Sequence, residues 1–263
     1  MKKATLSALL LFLPLMSYAQ QMFRSPDAAA SAFASAVAEH NDAELTAILG
    51  DNWRQYLPPD GADPEVIARF NRDWKTAHTI TQHDNVAHLN VGQQGWQLPI
   101  PIVKMEKGWQ FDMAAAQDEI LTRAIGRNEL SAIGAMHAYV DAQEDYWQRK
   151  QHYASKLISS NGQQDGLYWP TQPGETPSPL GPAFSPTEPG EGYHGYHFRI
   201  IHSQQPDGFA LIAWPVSYGE TGVMSFMVGE DDRVYQADLG NKTEEKAAKV
   251  TQFSPAKPWE PVE

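Results

Sequence analysis

The sequence predicts an α+β protein in which N-terminal helices pack on a bent antiparallel sheet, and a further helix then packs on a C-terminal antiparallel β-meander. Three observations carry that prediction. Apolar residues recur at helical spacing between Ser25 and Trp74, and the period drops to two from Thr79 to Asp112. Between Met113 and Gln151 two adjacent apolar stripes follow a three- and four-residue rhythm. From Gly195 to Gly240 apolar and polar residues alternate between turns rich in glycine, proline and aspartate.

In chain order, Met1 to Ala19 reads as a secretory signal peptide. Lys2 and Lys3 form its charged region, Leu6 to Leu15 its apolar region, and Ser17-Tyr18-Ala19 a small-x-small cleavage site. The apolar run is well below the roughly 20 residues of a spanning helix, so no membrane insertion is expected after cleavage. Domains are expected over residues 20–125 and 126–263. Ser25-Pro26-Asp27 caps a first helix with Ala30, Phe33 and Val37 on one stripe. Asn41-Asp42 recaps a second that stops at Gly50. Asp63-Pro64-Glu65 opens a third, with Ile67, Phe70 and Trp74 on its apolar side.

Val86 to Val91 is a weak strand, and Gly95 to Lys104 a stronger one with Trp96, Leu98, Ile100 and Ile102 on one face. Pro99 and Pro101 lack ladder donors, which demands an edge or a bulge. Glu106-Lys107-Gly108 then turns the chain into Trp109 to Asp112. The helix that follows is expected to break near Gly126 and restart with Asn128 as cap and Glu129 behind it. Ile133, Met136, Val140 and Trp147 on one stripe, and Ala132, Ala135, Tyr139 and Tyr146 on the other, make a wide apolar surface for the meander. The meander should present Tyr196, Phe198, Phe209, Leu211, Phe226 and Val228 to it. Residues 170–192 form a proline- and glycine-rich loop anchored by Leu180 and Phe184, and loops of that length are commonly functional covers or disordered. Thr243 to Val250 suits a short amphipathic helix, and Trp259 is placed to pack back onto the body.

The formal net charge is −12, and loss of Lys2 and Lys3 with the leader makes the protein two units more negative. Such a surface disfavours nucleic acid and anionic lipid. With no cysteine, neither a disulfide nor a lipidated cysteine is available, so an exported chain must rely on burial alone.

The segments GWQLPIPIVKMEKGWQFD, IGRNELSAI, GYHFRI and GFALIAWPVSYGETGVMSF resemble an uncharacterised family of exported bacterial proteins, domain of unknown function 2950. The resemblance covers nearly the whole chain after the leader. It implies export, and brings no activity, cofactor or catalytic residue with it. Residues 24–125 are similar to cystatin-like and NTF2-like α+β proteins, whose helices pack in a bent sheet. Residues 128–240 are similar to the globular part of type IV pilins and pseudopilins. A prepilin leader and a long apolar helix joined to residue 128 are missing, so filament assembly is not implied. Asp232 stands where such sheets commonly place a glycine turn.

Chemistry is weakly signalled. His194, His197 and His202 cluster near a strand entrance, but zinc sites want three or four convergent, supported ligands, so neither metal nor cofactor is expected. His137 with Asp141 or Glu144 reads as a solvated helix face. The G-x-S-x-G elbow and the phosphate-binding glycine motifs are missing, and Ser225 reads as mid-strand packing. The ligand-binding candidates are Tyr168 and Trp169 at the entrance of the 170–192 loop, with Tyr193, His194 and His197 at its exit, because aromatic faces with a few polar tips suit a small ligand or a glycan. The expected role is a non-catalytic periplasmic or secreted binding or accessory module, whose partner is a small ligand, a glycan or an envelope protein. The alternatives are an envelope-polymer hydrolase using Asp141, Glu144 or Asp145, and a structural partner of a pilus or secretion system.

Overall fold

In the computed structural model, which describes residues 20–56, 64–181 and 192–262, two antiparallel sheets are each covered by helices. The chain divides into two compact units, residues 1–120 and 121–263. The leader, Asp63 and Phe184 lie outside the described residues.

The first unit opens with three helices: α1 (Pro26–Ala38), α2 (Asp42–Leu49) and α3 (Pro64–Thr76). The Ser25 hydroxyl accepts from the Ala28 amide at the start of α1, and the Asn41 side chain accepts from Glu44 at the start of α2. Both satisfy amides that a helix start leaves without partners. Strands β1 (His78–His83), β2 (Val86–Val91), β3 (Trp96–Gln97), β4 (Ile102–Met105) and β5 (Gly108–Phe111) form the sheet. Its order is β1-β2-β4-β5, with β3 also paired to β2. The single strand expected over 95–104 is two short ones, because Pro99 and Pro101 cannot donate to β2 and the chain bulges between them. Leu98, Ile100 and Ile102 are buried while Trp96 stays exposed at the edge. Phe33 packs on Phe70 and Phe111 at ring distances of 5.7 and 5.3 Å, inside a core shared by α1, α2 and the inner sheet face.

Helix α4 (Met113–Lys150) is continuous across Gly126, in contrast to the break the sequence suggests. A helix-interior glycine costs about 1 kcal/mol without ending the helix. Asn128 is not a cap: its side chain donates to the Thr221 carbonyl at 2.9 Å. Glu129 accepts from the amides of Val223 and Met224, both at 3.0 Å, so these two side chains bind the connection that leads into the third strand of the meander.

The second sheet has the order β10-β9-β8-β7-β6, built from β6 (Tyr196–Ile201), β7 (Ala210–Pro215), β8 (Met224–Val228), β9 (Tyr235–Asp238) and the short β10 (Glu260–Pro261). Period two splits its residues into two cores. Phe209, Leu211, Ala213, Phe226 and Val228 face α4 and meet Met136, Tyr139, Val140 and Tyr146. Ile212, Trp214, Met227 and Ala237 face the other way, where α5 (Thr243–Lys249), Phe253 and Trp259 cover them. Trp147, expected in the first of these cores, is 38% exposed, although Met136 and Val140 of its stripe are buried there together with Tyr139 and Tyr146.

Candidate functional site

The five residues singled out in the sequence rest on different supports. Tyr168 lies in the loop after α4, its amide donating to the Leu157 carbonyl and its carbonyl accepting from Ser159, each at 2.8 Å. Its ring is half-buried. Trp169 is only 7% exposed and belongs to the core facing α4. Tyr193 and Tyr196 form a backbone bridge, and the Tyr193 ring meets His194 edge-on at 4.3 Å. His194 is exposed, in the left-handed region at φ +47°. His197 follows Tyr196 by one residue, so it occupies the opposite face of the sheet, with its ring 5.5 Å from that of Trp214. The sheet therefore stands between Trp169 and His197. Of the 170–192 loop, residues 170–181 form neither helix nor strand, and Leu180 is buried beneath them with its amide bonded to the Leu167 carbonyl.

The acidic candidates on α4 stay on its surface. Asp141 and Glu144 are exposed, and Asp145 is gripped by the Arg149 guanidinium one turn on. His137 pairs with neither; its Nδ1 lies 2.7 Å from Asp232 Oδ1 in the β8–β9 turn. Among the described residues, no three His, Cys, Asp or Glu are placed to hold a metal ion.

One polar cluster that the sequence did not signal lies in the same loop as Tyr168. Lys156 Nζ donates to Ser160 Oγ at 2.8 Å and to Asp165 Oδ2 at 2.6 Å, while Asp165 also accepts from the Ser160 amide at 2.7 Å. These donors, the Lys156 ammonium first, hold the Asp165 carboxyl at about 2. Lys156 is thus taken up by Ser160 and Asp165, and the contact ties the loop together.

Each unit carries a cleft among its described residues. That of the first unit measures about 310 Å³ and is bordered by Trp53, Tyr56, Met105, Gln110 and Asp112. Several of its polar groups are engaged by the fold: the Gln20 amide donates to the Ile48 and Phe111 carbonyls, and Asp112 accepts from Ala115 at the start of α4. The cleft of the second unit is larger, about 550 Å³, and lies between the segment after α4 and the β6–β7 turn. Tyr153 and Phe209 give it an aromatic wall, their rings 4.7 Å apart edge to face, with the ring of the exposed Trp147 tilted against Tyr153 at 4.7 Å. The turn is held from behind by Glu230, whose Oε1 accepts from the Phe209 amide at 3.1 Å and from the Ser203 hydroxyl. Gly208 makes this approach feasible, since a Cβ there would lie 1.6 Å from Glu230 Oε1.

A family model for proteins of unknown function, DUF2950, matches residues 20–262. The chain belongs to the DUF2950 family. No curated protein and no solved structure matches it significantly. In this DUF2950 chain the larger cleft sits at the C-terminal end of β6, whereas Tyr193, His194 and His197 sit at its N-terminal end. None of residues 170–181 lines the cleft. Its Gln204-Gln205 pair precedes the Pro206-Asp207-Gly208 turn, which the sequence marks only as a strand connection. The one signal that pointed here was length: four turn residues suffice for a hairpin, and the stretch from His202 to Gly208 exceeds that. The cleft joins aromatic and polar side chains. Its aromatic surface and polar tips offer contact and orientation, and its volume falls in the range of ligand pockets, roughly 300–1,000 Å³.

Proposed function

We propose that this protein is an exported, non-catalytic binding module of the bacterial cell envelope, working in the periplasm or outside the cell. The cleft between Tyr153 and the β6–β7 turn carries this reading. It combines ligand-sized volume with an aromatic wall and a turn fixed from behind by Glu230. A preformed, rigid wall lowers the ordering cost of binding. Export is supported by the Met1–Ala19 leader pattern and by the resemblance to exported proteins. No helix of the described residues is long and apolar enough to cross a membrane.

The test is a two-dimensional amide NMR screen of the protein lacking residues 1–19 against a mixed library of sugars, amino acids, short peptides and nucleosides. Shifts concentrated at Tyr153–Ser155 and Ser203–Phe209 are expected for at least one class. A library that moves no amide there, or moves only amides of other segments, removes the cleft as a binding site. Mass spectrometry of the protein recovered from the envelope fraction is expected to show Gln20 as the first residue; an intact Met1 there overturns the export reading.

A further inference from the structure

Resting on the binding role just proposed, we infer that the cleft of the second unit takes a neutral, polyhydroxylated ligand, a short segment of uncharged glycan. The polar side chains at its mouth are uncharged or free of fixed charge: Ser155, Gln204, Gln205, Thr251 and His202. All five are exposed, and among the described residues none of their side chains makes a hydrogen bond; the neighbouring Gln252 amide reaches the Ser203 carbonyl at 3.4 Å. The Ser203 hydroxyl is already committed to Glu230.

The single guanidinium in the lining is committed as well. Arg199 Nη2 donates to the carbonyls of Ala247 and Val250 at 2.7 and 3.0 Å, at the C-terminal end of α5, and the group lies 5.8 Å from the Trp214 ring. An anionic ligand would therefore find no uncommitted arginine or lysine in the described lining, and it would approach a protein of formal charge −12. A cationic ligand would find no lining carboxylate, because Asp207 faces solvent outside the cleft and Glu230 is turned to the Phe209 amide. Charge thus argues against both ions.

What remains is a ligand recognised through groups that donate and accept at once. The amides of Gln204 and Gln205 each offer two donors and an acceptor, and the hydroxyls of Ser155 and Thr251 offer both roles. Adjacent hydroxyls of a sugar ring present the same double character. The C–H face of such a ring is apolar, and Tyr153, with Trp147 tilted against it, supplies aromatic surface beside those tips. A peptide would have to add to β6, the terminal strand of its sheet, whose residues 199–201 line the cleft, and tetra-alanine tests that mode below.

The decisive experiment titrates chitotetraose, cellotetraose and maltotetraose into the protein lacking residues 1–19, followed by amide NMR and calorimetry. Tetragalacturonate of equal length and tetra-alanine serve as anionic and peptide comparisons. At least one neutral tetrasaccharide is expected to shift the Gln204 and Gln205 side-chain amides, and tetragalacturonate to bind at least about tenfold more weakly. The exposed double variant Gln204→Ala/Gln205→Ala is expected to weaken neutral-glycan binding about tenfold or more, the loss of one or two neutral hydrogen bonds, with an unchanged amide spectrum elsewhere. Binding of tetra-alanine or tetragalacturonate at these amides, with none by the neutral glycans, overturns the ligand class and leaves the cleft as a binding site. Silence of the cleft toward every probe, including the mixed library, overturns both.

Discussion

The Gln143 side chain and the Ala154 backbone close a ring of two hydrogen bonds: the amide nitrogen donates to the Ala154 carbonyl at 2.9 Å, and the amide oxygen accepts from the Ala154 N–H at 2.8 Å. Gln143 is fully buried, and its nitrogen also reaches the Tyr139 hydroxyl at 3.0 Å. The ring pins the segment that follows α4 against the helix, and so places the neighbouring Tyr153 at the cleft. Replacing Gln143 by Leu strands two buried backbone groups at about 1–3 kcal/mol each. Gln143→Leu is expected to lose about 2–4 kcal/mol, read as a lower urea midpoint at an unchanged slope. A midpoint equal to that of the parent would show that the ring contributes nothing net.

Two substitutions on one apolar stripe of α4 separate its buried part from its exposed end. Met136 is fully buried against the meander, so Met136→Ala is expected to cost about 2–5 kcal/mol. Trp147, larger but 38% exposed, makes its ring contact with the half-buried Tyr153, so Trp147→Ala is expected to cost about 1 kcal/mol or less. Thermal unfolding of the pair decides it. The reverse order would mean that the sheet packs on the Trp147 end of this stripe rather than on Met136.

That pair also marks where reading the sequence succeeds and stops. Alternation places Phe209, Leu211, Phe226 and Val228 on one face because strand geometry leaves a side chain only two sides, and local caps such as Ser25 and Asn41 act within three residues. Two adjacent stripes on α4 differ by a small rotation, and period alone does not choose between Tyr146 and Trp147. Glu129 looks like a helix-start residue until Val223 and Met224, more than ninety positions away, are seen to donate to it. The two-residue β10 carries too little pattern to be read at all. The site was less legible than the fold. Tyr168, Trp169, Tyr193, His194 and His197 are close in sequence to one loop, but burial draws Trp169 into the core and the strand period turns His197 to the far face.

Acid should loosen the loop around Asp165. Its carboxyl sits at about 2, held there first by Lys156, against an ordinary value of 3.8. A group whose pKa is lower in the folded state binds fewer protons there, so its stabilisation is complete above about pH 4 and is lost as pH falls toward 2. Hydrogen exchange of the Ser160 amide, which donates to Asp165, is expected to accelerate in that window relative to amides of β7. Asp165→Asn should remove the acid dependence; an exchange rate that tracks pH identically in the variant counts against this origin.

Base should act on the core instead. Burial pushes the hydroxyls of Tyr139 and Tyr196 well above the ordinary value of 10.0, with the Glu129 carboxylate adding to the effect at Tyr196. A raised folded-state pKa means that the folded protein keeps protons the unfolded chain gives up, so the contribution is complete below about pH 10 and declines as pH rises beyond it. Tyrosinate absorbance during an alkaline titration is expected to leave these two residues silent until the protein unfolds. Tyr139→Phe should flatten the fall of stability above that pH, and an unchanged slope would contradict the assignment.

The turn between β8 and β9 offers a sharper separation of backbone from side-chain effects. Asp232 adopts φ +54°, a region where a side chain is strained and glycine is not. The aspartate brings one compensating contact, the 2.7 Å pairing with His137 on α4, in which both side chains are about half exposed, 46% and 50%. Exposed pairs contribute about 0.2–1 kcal/mol, and relieving a left-handed residue with glycine returns a similar amount. Asp232→Gly is therefore expected to leave stability within about 0.5 kcal/mol of the parent. Asp232→Ala loses the pairing and keeps the strain, without the local hydrogen bonding that lets aspartate tolerate this region, and is expected to cost about 1–2 kcal/mol. Placing Asp232→Ala in a His137→Ala background isolates the side-chain part: its cost should shrink there only by the value of the pairing. If the whole cost of Asp232→Ala vanishes when His137 is removed, the pairing and not the turn conformation governs this position.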